Sequence, residues 1–124
     1  MAVVIRSEGE VTVVELSGEF TLGRGGVAHP LDLQGRRITE LRQTLRALLD
    51  RNRTRIVLDV DKVRLFDSAG LGELVAWKKR AAELGGDLRF LHVHGQVDEL
   101  FEMTALTRVF RIFDAEADAV ASFG

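Results

Sequence analysis

Six consecutive residues combine a carboxylate, a hydroxyl and two glycines: Asp67-Ser68-Ala69-Gly70-Leu71-Gly72. A serine hydroxyl can act as a nucleophile, accept a phosphate or cap a helix. Asp67 and Ser68 both belong to residue types that favour the N-cap, and the glycines leave the following turn without bulky side chains. On a helix, one stripe would contain Ser68, Gly72, Val75, Ala76 and Lys79; it partly overlaps the core face and extends onto a more open face, where a partner could approach the backbone. From these residues alone, a plain helix cap is the favoured interpretation of Ser68.

A hydrolytic role for Ser68 would need a base within hydrogen-bond reach. The chain has three histidines, His29, His92 and His94, and the sequence around Ser68 lacks the Gly-x-Ser-x-Gly pattern of a nucleophile elbow. We therefore predict that the protein is not an enzyme. A hydrolase or nucleotidase that uses Ser68 is the alternative.

Three other groups could suggest ligand sites. The glycine-rich residues 23–26 lack the lysine and hydroxyl of a phosphate-binding P-loop. His92 and His94 alternate on or just after a predicted strand, but no third ligand is evident at useful spacing. Three aspartates could gather at a strand end and bind a cation: Asp59, Asp61 and Asp67. We predict no metal and no cofactor.

Composition limits the class of protein. The 124 residues fit one domain, 1–124, and 46% of them are hydrophobic, enough for one core. A net charge of −2 argues against nucleic-acid binding, which usually needs a strongly basic domain. The absence of cysteine excludes disulfides and thiolate metal sites. Since no apolar run approaches about 20 residues and the N-terminus lacks signal-peptide features, we expect a cytoplasmic protein without membrane insertion.

Hydrophobic spacing predicts the elements that must position Ser68. Residues 3–6 and 11–16 are rich in β-branched side chains and flank Gly9-Glu10, which indicates an antiparallel hairpin. The glycine-rich stretch from Thr21 to Arg37 contains Pro30 and is predicted to be a loop. Apolar residues then recur at helical spacing over residues 38–49.

The rest of the chain alternates between strands and helices. Residues 55–60 suit a strand covered on both faces, and the helix over residues 71–82 is closed by Gly85-Gly86. Further elements are predicted at residues 88–93 (strand), 97–103 (helix), 109–113 (strand) and 115–123 (helix). This order predicts an α/β fold with a mixed sheet of about five strands and about four helices. The loop after the second strand and the segment from Lys62 to Ser68 should share the carboxyl edge, where such folds place their sites.

The hexapeptide from Asp67 to Gly72 also carries a family resemblance. Together with Ile56-Val57-Leu58-Asp59-Val60 before it and Gly85-Gly86-Asp87-Leu88 after it, it closely resembles bacterial anti-sigma factor antagonists of the STAS domain family. Gly18-Glu19-Phe20 and residues 97–104 and 109–114 are similar to that family as well. The likeness covers the chain from about Val11 onward.

The resemblance implies a partner switch. In that family the unmodified domain binds a GHKL-type anti-sigma factor, which is also a serine kinase, and so frees a sigma factor. The kinase phosphorylates the serine that matches Ser68, and a PP2C-type phosphatase reverses the reaction. The resemblance also implies structural roles for Asp59 and Asp67, which would bond backbone amides near that serine. The alternative is a STAS subunit of a stress-signalling or lipid-transport assembly. We expect a monomer whose partner-binding residues are Thr21, Asp67, Ser68, Ala69, Gly70, Gly72, Ala76 and Lys79.

The loop is where the chain departs from the family pattern. Thr21 occupies a position where many relatives carry aspartate, and Thr21-Leu22-Gly23-Arg24-Gly25 resembles a subgroup with a Thr-Leu-Gly-x-Gly start. The loop to Arg37 is also longer than the family leads us to expect, and structureless loops beyond about 12–15 residues are uncommon unless functional or disordered. We hypothesise that it forms part of the partner-binding face; the alternative is an insertion without a role.

Overall fold

The computed structural model describes residues 2–22 and 33–124, and for residues 33–37 it describes the backbone alone. Strands β1 (Val3–Glu8) and β2 (Val11–Phe20) form the predicted hairpin. Gly9 makes the turn at a φ of +65°, in the left-handed region that glycine adopts without strain.

Helix α1 (Leu33–Asp50) begins earlier than its apolar stripe suggested. The prediction of a loop from Thr21 to Arg37 is therefore wrong for residues 33–37, and residues 23–32 lie outside the described part of the chain. Helix growth is cooperative, so each residue added to an established helix gains a backbone hydrogen bond. That gain can carry a helix through a single glycine such as Gly35, which the sequence rules assign to a loop.

Strand β3 (Arg55–Phe66) is twice as long as predicted. The segment from Lys62 onward, expected to follow the strand, continues it as far as Phe66. The charged pair Asp61-Lys62 ends the apolar run, but pairing with residues 17–20 of β2 continues beyond it, through two irregularities in the register. The strand persists because Val63 and Phe66 are buried while Lys62 and Arg64 face solvent.

The remaining elements follow the predicted order. They are α2 (Ser68–Glu83), β4 (Asp87–Leu91), α3 (Gly95–Thr104), β5 (Ile112–Phe113) and α4 (Glu116–Ala121). The last strand is shorter than predicted, because the amides of Val109 and Phe110 bond the carbonyl of Leu106 in the 3-10 turn Leu106–Arg108 instead of a neighbouring strand.

The described strands form one sheet in the order β1-β2-β3-β4-β5. Only the β1–β2 pair is antiparallel, so the predicted mixed five-stranded sheet is confirmed. Helices α1, α2 and α3 share the larger core with one face of the sheet, and α4 packs on the other face through Ala119. None of the helices in the described ranges is long and apolar enough to cross a bilayer.

Candidate functional site

The ends of β2 and β3 meet at one edge of the sheet. The two strands are parallel, and their last residues, Phe20 and Phe66, are partners in the register. The phenyl rings are both fully buried, with centroids 5.7 Å apart. Thr21 and Asp67 therefore leave the sheet side by side, and the expectation that these two segments share an edge is confirmed.

The carboxylate of Asp67 joins the segments that follow the two strands. Its Oδ1 accepts a hydrogen bond from the Gly70 amide at 2.6 Å, and its Oδ2 accepts one from the Leu22 amide at 3.0 Å. The first of these bonds caps α2, with Asp67 in an extended conformation before the helix. The capping role therefore belongs to Asp67, and the interpretation of Ser68 as the cap is wrong. Ser68 is the first residue of the helix itself.

The two glycines of the motif serve different purposes. A Cβ atom on Gly70 would lie 2.7 Å from the backbone oxygen of Phe20, closer than real Cβ contacts, so only glycine lets the first turn of α2 rest on the end of β2. A Cβ atom on Gly72, in contrast, would meet no atom within 4 Å, and the residue is exposed. Packing explains Gly70 but offers no reason for glycine at position 72.

Most of the predicted partner-binding residues lie on one open surface. The exposed members are Ser68, Ala69, Gly72, Ala76 and Lys79, and Thr21 and Asp67 are half-buried. Gly70 is buried against β2, so it supports this surface without forming part of it. The loop hypothesis concerns mainly residues 23–32, which lie outside the described residues.

A glutamine that belongs to none of the motifs seen in the sequence holds the end of β3. Gln96, near the start of α3, accepts a hydrogen bond from the Phe66 amide and donates one to the Phe66 carbonyl, both at 2.9 Å. The two residues are 30 positions apart, and no local pattern marks a glutamine that bonds a distant strand.

His92 and His94, which follow β4, pair with two aspartates of β3. His92 Nδ1 lies 3.0 Å from Asp59 Oδ1, and His94 Nε2 lies 2.9 Å from the Asp61 carbonyl oxygen. Asp59 also accepts from the Asp61 amide, which confirms a structural role for it but not one near Ser68.

The suggested cation cluster of three aspartates is wrong: the carboxylate of Asp67 bonds the backbone amides of Gly70 in α2 and of Leu22 after β2. Within residues 2–22 and 33–124, no three His, Cys, Asp or Glu side chains are grouped so that they could hold a metal ion. His29, the third histidine considered as a base, lies outside the described residues.

Comparison with known proteins places this architecture in a family. The family model described as "Mlab, STAS domain" matches residues 31–113, well over half of the chain. The anti-sigma F factor antagonist of Paenibacillus polymyxa is 28% identical over 110 residues, covering 89% of this chain and 84% of the relative.

Solved structures show the same fold. An anti-sigma factor antagonist from Mycobacterium paratuberculosis superposes with a TM-score of 0.75 at 20% identity, covering 98% of this chain and 92% of that one. The Bacillus cell fate determinant SpoIIAA in its phosphorylated form gives a TM-score of 0.69 at 15% identity and covers 98% of both chains. Since the family model, the curated relative and the sheet topology agree, the resemblance seen around Ser68 is confirmed: this chain belongs to the STAS domain family.

Proposed function

We propose that this STAS domain is an anti-sigma factor antagonist whose unmodified form binds an anti-sigma factor and is switched off by phosphorylation of Ser68. The observation that carries the proposal is the exposed hydroxyl-bearing residue at the first position of α2, directly after the Asp67 cap. The curated relative that covers most of the chain bears the name of an antagonist of this kind. SpoIIAA, a neighbour in fold, has been solved in a phosphorylated form.

Phosphate on Ser68 should change binding more than folding. It adds about −1.5 to −2 charges at neutral pH, and a helix N-terminus tolerates negative charge. Because Ser68 is exposed, the added group displaces no packed atom of the domain. The charge and bulk would instead act on a partner that covers the start of α2.

The exposed stripe of α2 supports a close contact with that partner. Ala69, Gly72 and Ala76 carry little or no side chain, so an opposing surface can approach the helix backbone. Lys79 adds a positive charge further along the same helix. We propose a GHKL-type anti-sigma factor with serine kinase activity as the partner and a PP2C-type phosphatase as the enzyme that resets the switch. On this proposal the domain acts in the cytoplasm by binding, as a monomer without catalysis of its own.

A binding experiment with three variants tests the proposal. Tagged natural protein and Ser68→Ala should recover an ATP-dependent serine kinase from the native cell extract, whereas Ser68→Asp should bind it at least about tenfold more weakly, as expected for a charge left facing an interface. Ser7→Asp places the same charge on an exposed serine of β1 and should bind normally.

Mapping the phosphate identifies the modified residue. After incubation with the recovered kinase and ATP, mass spectrometry should find phosphate on Ser68 in the natural protein and none in Ser68→Ala. Phosphate on another residue, or equal binding of all four proteins, would contradict the proposal. Recovery of a transport ATPase or a large stress-signalling complex would instead support the alternative assembly.

A further inference from the structure

Strand β3 extends beyond the strand beside it. Asp59 pairs with Leu91, the last residue of β4, but β3 continues to Phe66. Among the described residues, no strand covers this part of the β3 edge. Two side chains at the start of α3 contact it instead: the N-cap residue His94 at the Asp61 carbonyl, and Gln96 at Phe66.

Gln96 satisfies both backbone groups of Phe66 at once. The side-chain amide offers one acceptor oxygen and an NH2 donor, and here each makes a 2.9 Å bond to the same residue. The amide thereby supplies the two hydrogen bonds that a neighbouring strand would otherwise provide. Gln96 is only half-exposed, so water competes weakly for these bonds.

The position of Phe66 determines where Ser68 lies. The Phe66 side chain is fully buried, Asp67 follows with both carboxylate oxygens bonded to amides, and Ser68 is the next residue. We propose that Gln96 is a positioning residue for the Ser68 site, which it holds in place from α3 through the backbone of Phe66. This inference rests on the proposed function of Ser68.

Two features make the link specific. Gln96 touches the backbone of Phe66, so its removal leaves the buried phenyl ring and the core packing in place. Helix α3 lies far along the chain from the end of β3, and this amide joins α3 directly to Phe66, two residues before the start of α2. Loss of the Gln96 side-chain amide should therefore make residues 66–70 open more often, while the hydrogen bonds in the rest of the sheet remain.

Amide hydrogen exchange measured by NMR tests the contact without any partner. In Gln96→Ala, the Phe66 amide should exchange about five- to tenfold faster, the factor expected for one lost hydrogen bond. The amides of Leu22 and Gly70, which bond Asp67, should follow to a lesser degree, and the Val57 amide in the middle of the sheet should not change. Gln43→Ala, at an exposed glutamine of α1, is the matched control.

Gln96→Glu provides a second variant that keeps an acceptor for the Phe66 amide and removes the donor to the Phe66 carbonyl. The Phe66 amide should exchange more slowly in Gln96→Glu than in Gln96→Ala. If the alanine variant fails to fold, the comparison of Gln96→Glu with the natural protein tests the contact instead. Unchanged exchange at Phe66, or equal acceleration at Val57, would overturn the positioning role.

Steady-state kinetics with the recovered kinase connects the contact to Ser68. Gln96→Ala should lower kcat/KM for Ser68 phosphorylation by about tenfold, the effect of a misplaced acceptor, and Gln96→Glu should recover part of it. Equal rates in the natural protein and Gln96→Ala would overturn the inference. If the natural protein itself is not phosphorylated on Ser68, the proposed function fails, and the exchange experiment still decides whether Gln96 holds Phe66.

Discussion

The two glycines at the start of α2 should respond in opposite ways to the same substitution. Neither has a positive φ, so alanine is compatible with the backbone at both positions. At Gly70 the new methyl group would lie 2.7 Å from the Phe20 carbonyl oxygen and 3.0 Å from Asp67 Oδ1. At Gly72 it would meet nothing within 4 Å.

The expected magnitudes follow from these contacts. Alanine in place of a helical glycine stabilises a protein by about 0.4–1 kcal/mol, mainly through the entropy of the unfolded chain, and Gly72→Ala should gain this amount. Overpacking against a backbone that cannot move away costs about 1–3 kcal/mol, so Gly70→Ala should lose about 1–2 kcal/mol after the same helix gain is subtracted. The two variants should differ by about 2 kcal/mol, on the order of 5–10 °C in Tm.

Urea denaturation followed by circular dichroism measures the difference. The midpoint should fall for Gly70→Ala and rise for Gly72→Ala, with the same slope for both if the denatured states are alike. Stabilisation of both variants would refute the close approach of α2 to β2. In the kinase binding assay, Gly72→Ala should bind more weakly although it folds more stably, and full affinity would argue that no partner approaches the backbone at position 72.

Two further predictions concern carboxylates. Asp67→Ala removes the hydrogen bonds to the Gly70 amide in α2 and to the Leu22 amide after β2. It should lower the free energy of unfolding in urea by about 2 kcal/mol; a loss below about 0.5 kcal/mol would contradict its capping role. Burial alone would raise the pKa of Asp87, but hydrogen bonds from Lys78 and Arg89 outweigh it and lower the pKa below the ordinary 3.8. Because the pKa of Asp87 is lower in the folded protein, its ionised carboxylate stabilises the fold above pH 3.8, and this stability is lost as the pH falls through the pKa of the folded protein. The variant Asp87→Asn should therefore be less stable than the natural protein at neutral pH, and its stability should fall less in acid. Urea midpoints measured from about pH 7 to about pH 3 test this, and parallel curves for the two proteins would contradict it.

Local sequence was sufficient to predict an element where the residues that determine it are close together along the chain. The hairpin around Gly9-Glu10 was predicted because β-branched residues flank a glycine turn. The central residues of the longer helices were predicted from apolar spacing. The motif from Asp67 to Gly72 predicted the start of a helix, since capping residues and glycines lie within one turn of each other. Element ends were less certain, because pairing with β2 extends β3 to Phe66 and helix cooperativity extends α1 back to Leu33.

By itself, the sequence determined the order of strands and helices, the family resemblance and the serine on which the proposed switch depends. The tertiary structure decided what each residue of the motif does. It assigned the cap to Asp67, placed Gly70 against Phe20 and left Gly72 facing solvent. It also brought Gln96 to the end of β3. These assignments depend on distances between segments that are remote along the chain, and such distances exist only once the sheet and its helices have packed.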